Sequence, residues 1–93
     1  MIRPVFEFDP DKSAANRAKH GIDFEAAQML WIDDGRIEFD ARSNTEPRIA
    51  VIGLIEGKHW TAFVTNRGEA IRIISVRRSR NDEVEAYDRK KDR

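Results

Sequence analysis

The sequence predicts an α+β domain in the order β-α-α-β-β-β-β-α, with a mostly antiparallel sheet packed against helices that share one face. Three observations carry this. Helix caps and helical spacing crowd the first third of the chain. From residue 36 the apolar pattern changes to a period of two. The later segments are joined by short turns, which suit antiparallel neighbours, and not by crossover-length connections.

Val5-Phe6-Glu7-Phe8 alternates weakly, as a short strand does. Asp9-Pro10 then supplies an N-cap and a favoured first helical residue. A helix should run from there through His20, and Gly21 sits where a left-handed residue ends a helix. Asp23 is a second N-cap. Phe24, Ala27, Leu30 and Trp31 then share one face, giving a helix from Asp23 to about Ile32. Asp33-Asp34-Gly35 ends it.

Arg36-Ile37-Glu38-Phe39-Asp40 alternates cleanly, as a half-exposed strand does. Ala41 to Pro47 reads as a loop. Ile49 to Ile55 is apolar on both faces, which suits a central strand. Glu56-Gly57 is a tight hairpin turn. His59–Thr65 and Ala70–Arg77 are the next strands, with a hairpin loop at Asn66-Arg67-Gly68. By simple alternation Arg72 faces with Ile74, Val76 and Arg78, while Ile71, Ile73, Ser75 and Arg77 face the other way. Ser79-Arg80-Asn81-Asp82 matches a capping box before a last helix. That helix contains Val84 and Tyr87 and dissolves into residues 88–93.

The chain has 93 residues, 40% of them hydrophobic, which suits one small domain spanning 1–93. Such a domain buries only about 60–65% of its unfolded surface, so a partner would help it. With no cysteine there is no disulfide framework and no thiolate metal site, and a reducing cytoplasm fits. No signal-peptide pattern and no run of ~20 apolar residues is present. Two histidines and scattered carboxylates make no metal cluster, and there is no Gly-rich phosphate loop or G-x-S-x-G elbow. No cofactor is expected. Net charge is zero, which argues against a DNA-coating protein. The charge is uneven, however. Residues 1–66 carry −3, whereas RGEAIRIISVRRSR (67–80) carries +4. Such a stripe can meet one phosphate backbone, or its arginines can simply pair with the acidic remainder.

Two stretches, FEFDPDKSAANRAKHGIDFEAA and RGEAIRIISVRRSRNDEVEAY, carry a resemblance. The combination F-E-x-D-x-x-K, N-x-x-K-H-G-x-x-F-E and I-R-I-I-S-x-R-x-x-x-x-x-E resembles the BrnT-type toxins of bacterial type II toxin–antitoxin modules, within the RelE-like ribonuclease superfamily. The resemblance implies a RelE-like fold and an RNA-cleaving activity that inhibits translation and arrests growth. It also implies a BrnA-type antitoxin that neutralises the toxin, in a heterotetramer of two toxins and two antitoxins. Operator DNA would be met only through that antitoxin.

Metal-independent RNA cleavage needs a base for the 2′-hydroxyl, an acid for the 5′-oxygen and cations for phosphate charge. Catalytic candidates are Lys19, His20, Glu25, Arg72, Arg77 and Tyr87; RNA-binding candidates are Arg67, Arg78 and Arg80. Each has a structural alternative. Lys19 and His20 suit a helix C-terminus, and Glu25 a first helical turn, through the helix dipole alone. Arg72 can form an ion pair with Glu7 or Glu38. Tyr87 can pack the last helix onto the sheet. His59 reads as a surface histidine, and Trp31 and Trp60 as core. A non-enzymatic protein-binding module is the alternative function, and an RNA or DNA binder without chemistry a weaker one.

Overall fold

The computed structural model describes residues 4–42 and 44–91. The elements are β1 (Val5–Glu7), α1 (Pro10–His20), α2 (Phe24–Ala27), a 3-10 turn (Gln28–Ile32), β2 (Ile37–Ala41), β3 (Arg48–Ile55), β4 (Lys58–Arg67), β5 (Ala70–Arg78) and α3 (Asn81–Lys91). One five-stranded sheet has the order β1-β5-β4-β3-β2. The pairs from β2 to β5 are antiparallel, and β1 lies parallel to β5 at the edge.

The caps act as the sequence predicts. Asp9 accepts from the Asp11 N–H at 2.8 Å, Gly21 takes φ +81°, and Asp23 accepts from the Ala26 N–H at 2.8 Å. Glu56 and Gly57 both have positive φ, as a tight hairpin turn demands. The second helix departs from expectation: it tightens after Ala27 into the 3-10 turn. A 3-10 coil rises about 2.0 Å per residue against 1.5 Å, so it lengthens the segment. It buries Leu30 completely and delivers Asp33 to β3, where the carboxylate accepts from Leu54 N–H (2.8 Å), Gly35 N–H (2.9 Å) and Tyr87 O–H (2.7 Å). Gly53 permits this approach. A Cβ there would stand 3.1 Å from Leu30 and 3.2 Å from Asp33.

One face of the sheet carries the main core: Val51, Ala62, Val64, Ile73 and Val76 pack against Ile22, Phe24, Ala27 and Leu30. Asn16 fastens α1 to this layer. Its amide donates to Ile22 O (2.8 Å) and Val76 O (2.9 Å), and its carbonyl accepts from Val76 N–H (3.2 Å). It thus pairs with β5 as a neighbouring strand would, beyond the point where β1 stops. Buried Ser13 accepts from Phe24 N–H at 2.9 Å and ties α1 to α2.

The helices do not share one face. Tyr87 of α3 packs with Ile37 and Ile52, and Ile52 alternates with the core-facing Val51, so α3 lies on the opposite face. It also runs through 88–90 to Lys91, where the sequence predicts dissolution. Its capping residue differs too. Glu83, not Asp82, reaches back to the Arg80 N–H at 2.7 Å.

The remaining correction concerns β5. Phe63 pairs with Ser75 but Val64 pairs with Ile73, so Ile74 is an extra residue in a β-bulge. The bulge resets the alternation. Ile73 and Val76 both face the core, and Arg72 joins Ser75 and Arg77 on the α3 face.

Candidate active site

Strand pairing lays the α3 face out in rows. Ile37, Ile52, Thr61 and Arg77 form one row, and the first part of α3 covers it. Phe39, Ala50, Phe63 and Ser75 form the next. Thr65, Arg72 and Glu7 form a third. Alternation also places Arg48 and Arg67 on this face. On this face α3 contacts the first row through Tyr87 and Glu83, and Phe39 is 45% exposed at the centre of edge strand β2. Phe39 and Phe63 sit two strands apart, so their backbones are about 10 Å apart, and the residues between and beside them, Ala50 and Thr65, are buried at 1% and 5% exposure. Arginines outnumber carboxylates around them.

Arg72 and Glu7 are neighbours in the parallel β1–β5 pair. Arg72 Nη1 donates to Glu7 Oε2 at 3.1 Å, with 29% and 40% of the side chains exposed. A pair this exposed is worth only about 0–1 kcal/mol, so stability alone gives little reason for it. Nε and Nη2 of Arg72 have no partner among the described residues.

Arg77 is held more firmly. Its Nη1 and Nη2 donate to Glu83 Oε1 (2.7 Å) and Oε2 (2.9 Å), a two-pronged charged pair. Its guanidinium lies over the Phe63 ring at 5.1 Å. Glu83 also accepts from Thr61 O–H (3.1 Å) and Arg80 N–H (2.7 Å). Burial opposes charging of Glu83, but the hydrogen bonds from Arg77, Arg80 and Thr61 and the Arg77 charge together outweigh it. They hold its carboxyl below the usual value of 4.5.

The other candidates lie apart from these rows. Lys19 is exposed and His20 half-buried at the end of α1, and no hydrogen bond or ion pair joins either to Arg72 or Arg77. Glu25 is exposed in the first turn of α2, beside a shallow cavity of about 310 Å³ between α1 and α2. Arg67 is exposed at the end of β4. Arg78 is exposed on the core-side face, 5.4 Å over Trp60, and its Nε donates to His59 O. Arg80 is exposed where α3 begins. Tyr87 is 1% exposed, and its hydroxyl donates to Asp33. Burial first, then the bond to Asp33 and the charges of Asp33 and Asp88, push that phenol up to about 12. His59 lies edge-on to Tyr87 with Nε2 3.1 Å from Asp88, beneath α3.

Reading the sequence alone misses Phe39 and Phe63 as site residues and treats Glu7 only as a partner for Arg72. The even spacing of Ile37 and Phe39 contained half of that signal. The other half, that α3 stops short of Phe39, is a tertiary fact. A larger cavity, about 440 Å³, lies by Met29, Ile32, Leu54 and Ile55. It is apolar, without a cationic lining residue, and so unsuited to phosphate.

Comparison with curated proteins gives no match. A family model described as "Ribonuclease toxin, BrnT, of type II toxin-antitoxin system" matches residues 8–83, which include α1, α2, the four antiparallel strands and the start of α3 through Glu83. The chain belongs to the BrnT family of ribonuclease toxins of type II toxin–antitoxin systems.

Proposed function

We propose that the open rows of the sheet are where this toxin binds and cleaves RNA, without a metal ion, inhibiting translation and arresting growth in the cytoplasm. The observation that carries the reading is the bulge at Ile74, which sets Arg72 on the same sheet face as Phe63, Phe39 and Arg77, with Arg77 in the row under α3 and Arg72 beyond it. An arginine fork suits phosphate, and an exposed ring suits an unpaired base. Arg72 is the better phosphate ligand, because two of its nitrogens are unengaged while both terminal nitrogens of Arg77 hold Glu83. Arg77 orders Phe63, and Arg67 and Arg48 extend the positive field toward the RNA strand.

A BrnA-type antitoxin neutralises the toxin, in an assembly of two toxins and two antitoxins that meets operator DNA through the antitoxin. The toxin's basic, part-apolar face suits an acidic amphipathic segment as its cover. Lys19, His20 and Glu25 lie on the helical layer, away from the rows assigned to RNA. The Arg72–Glu7 and Arg77–Glu83 pairs favour one competing reading, a face that binds protein without chemistry. Induced expression of wild type, Arg72→Ala and His20→Ala, with RNA 5′ ends mapped, separates the two. Growth arrest with new RNA ends, lost in a folded Arg72→Ala, is expected. Arrest without new ends overturns the nuclease reading.

A further inference from the structure

We propose that Glu7 is the general base of RNA cleavage, acting beside Arg72. This rests on the preceding reading of the open rows as the site. Among the described residues, the carboxylates bonded to the arginines of this face are Glu7 and Glu83, and the histidine on the same sheet face, His59, is held beneath α3 by Asp88. Glu83 accepts four hydrogen bonds, and its side chain is 11% exposed, so it has no capacity for a substrate proton. Glu7 accepts one, through Oε2 from Arg72, and its side chain is 40% exposed. Its Oε1 has no partner among the described residues. Glu7 lies one residue ahead of the span that the family model matches, so the assignment rests on geometry alone.

The pair supplies what the step requires. A phosphodiester held by Nε and Nη2 of Arg72 stands next to the Glu7 carboxylate, which is tied to the same guanidinium. Glu7 takes the proton of the 2′-hydroxyl, and the 2′-oxygen bonds to phosphorus. The bond from phosphorus to the 5′-oxygen breaks, that oxygen takes a proton from water, and protonated Glu7 returns its proton to the hydroxide left behind. The products are a 2′,3′-cyclic phosphate and a 5′-hydroxyl, and nothing is oxidised or reduced. Arg72 offsets the charge that grows on the non-bridging oxygens. Its partial engagement with Glu7 keeps both groups aimed at one place.

The test uses the purified full chain and a single-stranded oligoribonucleotide. Rates are read from pH 4 to 9 for wild type, Glu7→Gln, Glu7→Asp and Arg72→Ala. Affinity is read on a 2′-deoxy analogue that lacks the nucleophile. Circular dichroism checks the fold. Glu7→Gln should lose 10²- to 10⁴-fold in rate, with affinity held within about threefold and the acid limb of its pH–rate profile flattened. Glu7→Asp should keep part of the rate and the limb, and it carries the test if the glutamine variant does not fold. A Glu7→Gln rate within threefold of wild type, with Arg72→Ala inactive, overturns the base assignment and leaves the site. A rate loss matched by lost affinity also overturns it. Wild-type rates in both Glu7→Gln and Arg72→Ala overturn the site itself, as does intact RNA with every protein, alone and in a translation extract.

Discussion

Replacing Tyr87 by Phe removes one oxygen from the α3 face of the sheet. The hydroxyl donates to Asp33 Oδ2 at 2.7 Å, and Tyr87 is 1% exposed. A hydrogen bond to a charged acceptor contributes about 1.5–3 kcal/mol net. Asp33 keeps the Leu54 and Gly35 N–H groups, so the lower half of that range applies and the expected loss is about 2 kcal/mol. In a domain of this size that lowers Tm by on the order of 10 °C. The pH dependence gives a second reading. The phenol is raised from 10 to about 12, so the folded state holds this proton more tightly than the unfolded chain. Its contribution is complete below pH 10 and is lost as pH rises to about 12. Urea unfolding, followed by Trp fluorescence at pH 7 and between pH 10 and 12, measures both effects. The variant should be less stable at pH 7 and should lack the wild-type decline above pH 10. RNA cleavage should survive wherever the variant is folded. A variant within 0.5 kcal/mol of wild type with an unchanged alkaline slope would refute this account of the Asp33 anchor (a threshold set near the surface-substitution range). Lost cleavage in an equally stable variant would make the hydroxyl catalytic instead.

Two further outcomes follow from the same contacts. The lowered carboxyl of Glu83 stabilises the fold at neutral pH, and that contribution should begin to fade as pH drops through 4.5 and vanish below its folded value. Acid unfolding of Glu83→Gln should lack that part of the slope, which parallel titrations of the two proteins would detect. Asn16→Leu strips partners from the buried Val76 N–H and two carbonyls, and should cost roughly 3 kcal/mol or more. Denaturant midpoints measure it, and a cost below about 1 kcal/mol would mean that water replaces the amide.

Much of the fold is legible because its signals are local. Asp9, Gly21 and Asp23 announce helix ends through their own hydrogen bonds and dihedral freedom, and Glu56-Gly57 announces a turn. Apart from the cap and length of α3, the misreadings concern distant partners. Nothing near Gln28 requires a 3-10 turn; the requirement comes from Asp33, which must reach Leu54 and Tyr87. Nothing in AIRIISVRR marks Ile74 as extra, because the run is apolar at every register. Only pairing with Phe63 and Val64 sets the bulge, and the bulge decides that Arg72 faces with Arg77. The N-x-x-K-H-G stretch shows the converse. Its Asn16 and Gly21 have full structural roles, so a specific motif need not be a chemical one.

The most direct test of the site is a map of RNA binding by backbone NMR, with a 2′-deoxy-substituted oligonucleotide that cannot be cleaved. Shifts concentrated at Glu7, Phe39, Phe63, Arg72 and Ser75, with Lys19, His20 and Glu25 unmoved, are the predicted result. Shifts confined to the end of α1 and the first turn of α2, with the open rows silent, would place the RNA on the helical layer and contradict the account.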